Sequence, residues 1–244
     1  IVTTPDDFGS QGALPSHPEL LDWLAREFMN RKWNIKSMLK LMVMSQTFKQ
    51  RSSTSPSLMQ KDPTNKYLSY GPRHRLSAEM IRDQALFAAQ TLQQKLGGRS
   101  EQSSKSFRRG LYLYWKRNDP PPAMLIFDAP RRQVCSVKRE STSTPLQALV
   151  LLNNDLYVRA SKSIADKALK ENEGNKEQTL NSIFRRLTGR QAKANEKKIL
   201  FELLSDQLKY FQNSKQKTTD FLKYNSPRVY WKNKEELAAW SIIA

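Results

Sequence analysis

The sequence predicts a mainly α-helical domain, irregular in layout and carrying a few short strands or extended segments. Two observations predict it. Apolar residues recur at spacings of three and four through most of the chain, as one face of a helix requires. Helix-start signals also stand directly before those stripes, most clearly at Thr144, where Pro145 suits the first helical position and Gln147 falls three residues after the cap.

The segment Ile1 to Pro15 has no periodicity and holds Pro5, Gly9, Gly12 and Pro15, which marks an irregular arm. Ser16-His-Pro-Glu19 reads as a capping box opening a helix to about Asn30, with Leu20, Leu21, Leu24 and Phe28 inward. Asn34 caps a second helix carrying Ile35, Met38, Leu39 and Met42, so the two form an antiparallel hairpin. Residues 50–65 are rich in Ser, Thr and Pro and are expected to be a loop. Ser77 opens the next helix, with Ile81, Ala85, Ala88, Leu92 and Leu96 inward and Gly97-Gly98 as its end.

The polar stretch 97–106 is expected to link an N-terminal helical subregion, 1–96, to a C-terminal one, 107–244, the two packing as one domain. Leu111 and Leu113 alternate with Tyr112 and Tyr114 as in a short strand. Pro120-Pro-Pro122 interrupts any element there, and Met124 to Phe127 form an apolar anchor. From Pro145 one long helix is expected to reach Lys170, with Leu149, Leu152, Leu156, Ala160 and Ile164 as its stripe. Leu180, Ile183, Phe184 and Leu187 mark a further helix that Gly189 ends, and Ile199 to Leu208 another. Residues 213–219 read as a polar connection and Glu235 to Ile243 as a final helical stub.

A chain of 244 residues is long enough for a core without help from metals or disulfides. Its 41 Lys and Arg against 23 Asp and Glu give a formal charge of +18, which favours acidic partners without choosing among them. Aromatics interleaved with cations at Arg108, Arg109, Tyr112 and Tyr114, and the basic run Arg131, Arg132, Lys138 and Arg139, are the candidate ligand-binding residues. The competing readings are an ordinary edge strand and a solvated basic surface. Acidic candidates are Asp6, Asp7, Glu79, Asp83 and Asp128; Glu79 and Asp83 lie on one side of a helix, as an acid/base pair would. Crowding by Arg73, Arg75 and Arg82 favours structural ion pairing for them, and turn bonding is the commoner use of Asp6 and Asp7.

Cys135, the single cysteine, sits among cations that favour its thiolate, but Val134 and Val137 beside it favour a small buried hydrophobe. One cysteine excludes an intrachain disulfide and a C-x-x-C-H haem attachment. His17, His74 and Cys135 show no metal-ligand spacing, so no metal is assigned. No apolar run is long enough to span a membrane, and no signal peptide is visible; the start at Ile1 suggests a piece of a longer chain.

Several words stand in series: Thr4-Pro-Asp-Asp-Phe-Gly9, His17-Pro-Glu-Leu-Leu-Asp-Trp-Leu24, Arg75-Leu-Ser-Ala-Glu-Met-Ile-Arg-Asp83, Pro120 to Asp128, Cys135 to Leu149, and Leu187-Thr-Gly-Arg190. In these the chain resembles the C-terminal domain of unknown function, family 1553, of large planctomycete cell-envelope proteins that also carry cytochrome-c-like modules. The resemblance implies an exported protein of the periplasm or cell envelope, with haem c confined to an upstream module and no cofactor in this chain. It supplies no catalytic residues. The expected role is a non-catalytic accessory or interaction domain, its partners being other modules of the same protein and an acidic glycan or acidic protein. A polysaccharide-active enzyme using the clustered carboxylates is the alternative, and nucleic-acid binding a further one that charge permits but no recognised module supports.

Overall fold

A computed structural model describes residues 1–5, 7, 9–102, 106–135, 137, 139–225 and 229–244. Eleven α-helices and three isolated β-bridges occur among them, so the molecule is mainly helical as the sequence predicts. The chain forms two compact units, Ile1–Arg75 with Cys135–Lys138, and Leu76–Val134 with Arg139–Ala244. The stretch 97–106 does not mark that division, since its described residues lie within the second unit.

In the first unit α1 spans Pro18–Asn30, α2 Ile35–Met44 and α3 Pro56–Lys61. The capping box expected at Ser16 does not form: His17 holds the cap position, and the Ser16 hydroxyl donates to the Ile1 carbonyl at 3.0 Å. Asn34 does cap α2, its Oδ1 accepting the Ser37 N–H at 3.0 Å. The turn between them uses left-handed backbone at Lys32 and Trp33, and the Trp33 ring closes edge-on against Phe28 at 5.0 Å. Helix α3 lies in the expected loop, because Ser55 and Pro56 supply a cap and a first helical residue. Leu20 and Leu21, expected inward, are exposed, and Met38 is the one buried apolar residue described in this unit.

The second unit contains α4 (Ala78–Ala88), α5 (Pro122–Ile126), α6 (Pro145–Asn153), α7 (Asp155–Glu171), α8 (Lys176–Thr188), α9 (Ala194–Gln212), α10 (Lys215–Lys223) and α11 (Lys234–Ile243). Helix α4 starts at Ser77 as expected but stops at Ala88, where Gln90 turns left-handed, so Leu92 and Leu96 lie beyond it. Its buried line is Ala78, Arg82 and Leu86 rather than Ile81 and Ala85, because Arg82 is drawn inward by carbonyl acceptors.

The long helix expected from Pro145 is two helices. Asn154 adopts an extended backbone between them and accepts the Leu156 N–H on its side chain at 3.1 Å, capping α7. Leu149 and Leu152 are consequently exposed while Ala160 and Ile164 stay buried. The expected strand at Leu111 to Tyr114 is instead a 3-10 turn, Gly110–Tyr112. Gly110 approaches so closely that a Cβ there would lie 3.0 Å from the Glu79 Cβ, and its N–H donates to Asp83 Oδ1 at 2.6 Å. The expected polar connection at 213–219 contributes most of α10, capped by Ser214, with Thr218 buried and donating to the Phe211 carbonyl at 2.8 Å.

The main core gathers Ile164, Leu169, Leu180, Ile183, Leu204 and Trp240 around α7, α9 and α11. Alanines 165, 168, 238 and 239 are fully enclosed and let helix backbones approach closely. Asp166 Oδ1 accepts the N–H groups of Tyr230 and Trp231, both at 2.6 Å, which ties the approach to α11 onto α7. A smaller cluster of Ala78, Leu113, Met124, Phe127 and Ala129 supports the turn that carries Arg108 to Tyr114.

Candidate binding site

The predicted aromatic-basic cluster is built on two inward arginines. From α4, Arg82 donates to the carbonyls of Arg108 at 2.7 Å and Ser106 at 2.5 Å. Arg108, 1% exposed, donates in turn to the carbonyls of Arg99 at 3.0 Å, Lys95 at 3.1 Å and Gly97. Its guanidinium carbon lies 4.1 Å over the Tyr112 ring, whose hydroxyl accepts the Gly97 N–H at 3.1 Å. Arg108 is therefore a structural clamp that fixes residues 95–101, not a ligand-facing cation. Arg109 and Tyr114 remain on the surface, Arg109 standing 3.6 Å from Asp83.

The candidate acids are engaged as well. Glu79 pairs with Arg139 at 2.8 Å. Burial pushes the Glu79 carboxyl up, but hydrogen bonds from its own backbone and from Arg139, with the charge of Arg139, hold it below its ordinary value. Asp83 accepts from Gly110 and lies 3.5 Å from Arg82. Asp128, in left-handed backbone, accepts the Thr142 N–H at 2.7 Å and its hydroxyl at 2.8 Å, fastening the lead-in to α6. Gln147 completes that joint, donating to the Ile126 carbonyl at 2.8 Å and accepting the Thr144 N–H at 3.2 Å. Asp7 lies exposed in the N-terminal arm, and Asp6 and Lys138 fall outside the described residues.

Among the basic run, Arg131 and Arg132 are exposed, with Arg132 lying 4.5 Å over the Trp115 ring. Cys135 is exposed rather than a small buried hydrophobe, as are Val134 and Val137 beside it. Among the described residues no group of three or more His, Cys, Asp and Glu could hold a metal ion.

Two features escaped sequence reasoning because tertiary structure alone assembles them. A small cavity of about 270 Å³ is walled by Arg82, Phe107, Met124, Tyr157, Arg159 and Ser163. Burial pushes the Tyr157 hydroxyl up to about 12, against the opposing charge of Arg82. The second is an open groove of about 780 Å³ between the end of α4 and α8, lined chiefly by side-chain amides and arginines. Its residues lie in pieces about ninety positions apart, and scattered Gln and Asn letters carry no periodic signal.

The fold and these contacts define a helical, basic domain whose described candidate acids other than Asp7 are tied into its own structure. The chain belongs to the PSD1 family, proteins of unknown function (DUF1553), which matches residues 1–204. Comparison with curated proteins gives no significant match, and neither does comparison with solved structures. No helix among the described residues is long and apolar enough to cross a membrane.

Proposed function

We propose that this chain is a non-catalytic interaction domain of a larger, exported envelope protein, docking on other modules of that protein and holding an acidic glycan or acidic protein. The observation that carries this reading is the apolar surface of the first unit. Trp23, Trp33, Ile35, Leu39, Met44 and Phe48 are each half or more exposed on or beside α1 and α2, where a free-standing domain would bury such residues. The formal charge of +18 supports an acidic ligand. Against the polysaccharide-hydrolase alternative, acid/base catalysis needs two carboxyl groups open to substrate. Glu79 and Asp83 are ion-paired and Asp128 is bound to Thr142.

Binding of the purified chain to acidic and neutral polysaccharides across a salt series, with duplex DNA as control, tests the ligand half of this role. Saturable binding to an acidic glycan that survives physiological salt, without release of reducing ends, is the expected result. Glycan cleavage would establish the enzyme instead. Weak binding to every polyanion that vanishes with salt would reduce the interaction to general electrostatics.

A further inference from the structure

Four residues of α8, Gln178, Asn181, Ser182 and Arg185, fall at spacings that share one helix face, and all four line the open groove. The intervening Thr179, Leu180 and Ile183 are buried, so the packing of α8 fixes which side it turns to the groove. The end of α4 and the residues after it, with Gln90 and Gln94, also line the groove, as does Gln191. The side chains of these five amides make no hydrogen bond to another described residue. The Asn181 Oδ1 is, in addition, enclosed without a hydrogen-bond partner among the described residues.

Charge in the groove is equally one-sided. Arg185 is in no ion pair among the described residues, whereas its neighbour Arg186 is held by Glu171. No carboxylate lines the groove among the described residues. Phe87 also lines it and is 65% exposed, although Leu86 and Ala88 on either side are buried.

Each requirement matches one ligand chemistry. Side-chain amides both donate and accept, as sugar hydroxyls do, so adjacent hydroxyls and amides satisfy each other. An exposed phenyl face offers an apolar platform for the C–H face of a pyranose ring. A free guanidinium pairs with a carboxylate through two parallel bonds. A bound peptide would instead want apolar pockets for alternate side chains, and the apolar residues that line the groove among those described are Phe87, Ala88 and Leu92.

We infer that the α4–α8 groove binds a short uronate-containing oligosaccharide, one ring on Phe87, its hydroxyls on the amides and a carboxylate on Arg185. This deepens the glycan-binding role proposed above and rests on it.

Calorimetric titration of the full chain with a short oligogalacturonate, a cello-oligosaccharide of equal length and an oligoglutamate tests it. The uronate should bind about tenfold more tightly than the neutral sugar, the scale of one charge-assisted contact. Arg185→Gln should abolish that preference without weakening the neutral sugar, and Phe87→Ser should weaken both. Both side chains are exposed, so an unchanged Tm is expected and verifies folding. The double variant Arg131→Gln/Arg132→Gln, on the basic surface, should leave uronate binding within about twofold. Loss of binding in that variant but not in the groove variants would overturn the groove assignment while leaving the glycan-binding role standing. Absence of binding to any acidic glycan by the unaltered chain would overturn both. Oligoglutamate binding as tightly as the uronate, with the same dependence on Arg185, would overturn the sugar and favour an acidic peptide.

Discussion

Lys162 is fully enclosed, its ammonium donating to the carbonyls of Phe221 and Tyr224, both at 2.5 Å. Burial pulls its pKa from 10.5 down to about 8. Between those values the unfolded chain holds a proton that the folded chain has released, so stability rises with pH across that window. The contribution is fully present above 10.5 and is lost as pH falls through about 8. Tyr157 acts in the opposite sense: raised from 10.0 to about 12, it retains its proton in the fold and lowers stability from pH 10 upward. Urea unfolding from about pH 8 to about pH 10 should therefore show a rise that Lys162→Met flattens. A rise of equal size in that variant would assign it to another group. No reading of letters anticipates this, since the two acceptor carbonyls come from residues 59 and 62 positions away. The same holds for Arg108 and Arg109, adjacent and chemically identical, of which one is a buried clamp and the other exposed.

At the scale of elements, caps were legible and depths were not. Ser77, Asn34 and Gly189 act as the sequence predicts, because a cap is a local bond between a side chain or a left-handed residue and its own helix end. Asn154 is also a cap, yet the apolar stripe continues across it, and periodicity alone joins α6 to α7. Replacing Asn154 by Ala should cost about 1 kcal/mol in chemical denaturation by removing the bond to the Leu156 N–H. Helix α11, expected as a terminal stub, is deeply enclosed, with Leu237, Ala238, Ala239 and Trp240 at 0% exposure. Trp240→Ala should destabilise by about 3–5 kcal/mol through the cavity it leaves. The Trp240 Nε1 is buried without a partner among the described residues, so Trp240→Phe should cost markedly less, a difference that thermal unfolding would measure. Equal losses in the two variants would mean that the indole N–H is satisfied.

For the whole molecule, the helical class follows from periodicity that needs no knowledge of contacts, whereas the division into units does not. Nothing in Pro72-Arg-His-Arg75 announces a boundary, whereas Gly97 and Arg99, in the Gly/Ser-rich stretch that does look like one, are held by Arg108 within the second unit. The apolar helices of the first unit have a consequence for the protein as a colloid. At low ionic strength, copies carrying +18 repel one another before their exposed tryptophans and methionines can meet. Added salt shortens the Debye length to about 8 Å at physiological strength and removes that barrier while leaving the apolar attraction intact. Light scattering should accordingly find single particles in dilute buffer and self-association as sodium chloride rises, the reverse of ordinary salting-in. Trp23→Ser/Trp33→Ser should keep the solution monodisperse, and association that survives both substitutions would locate the sticky surface elsewhere.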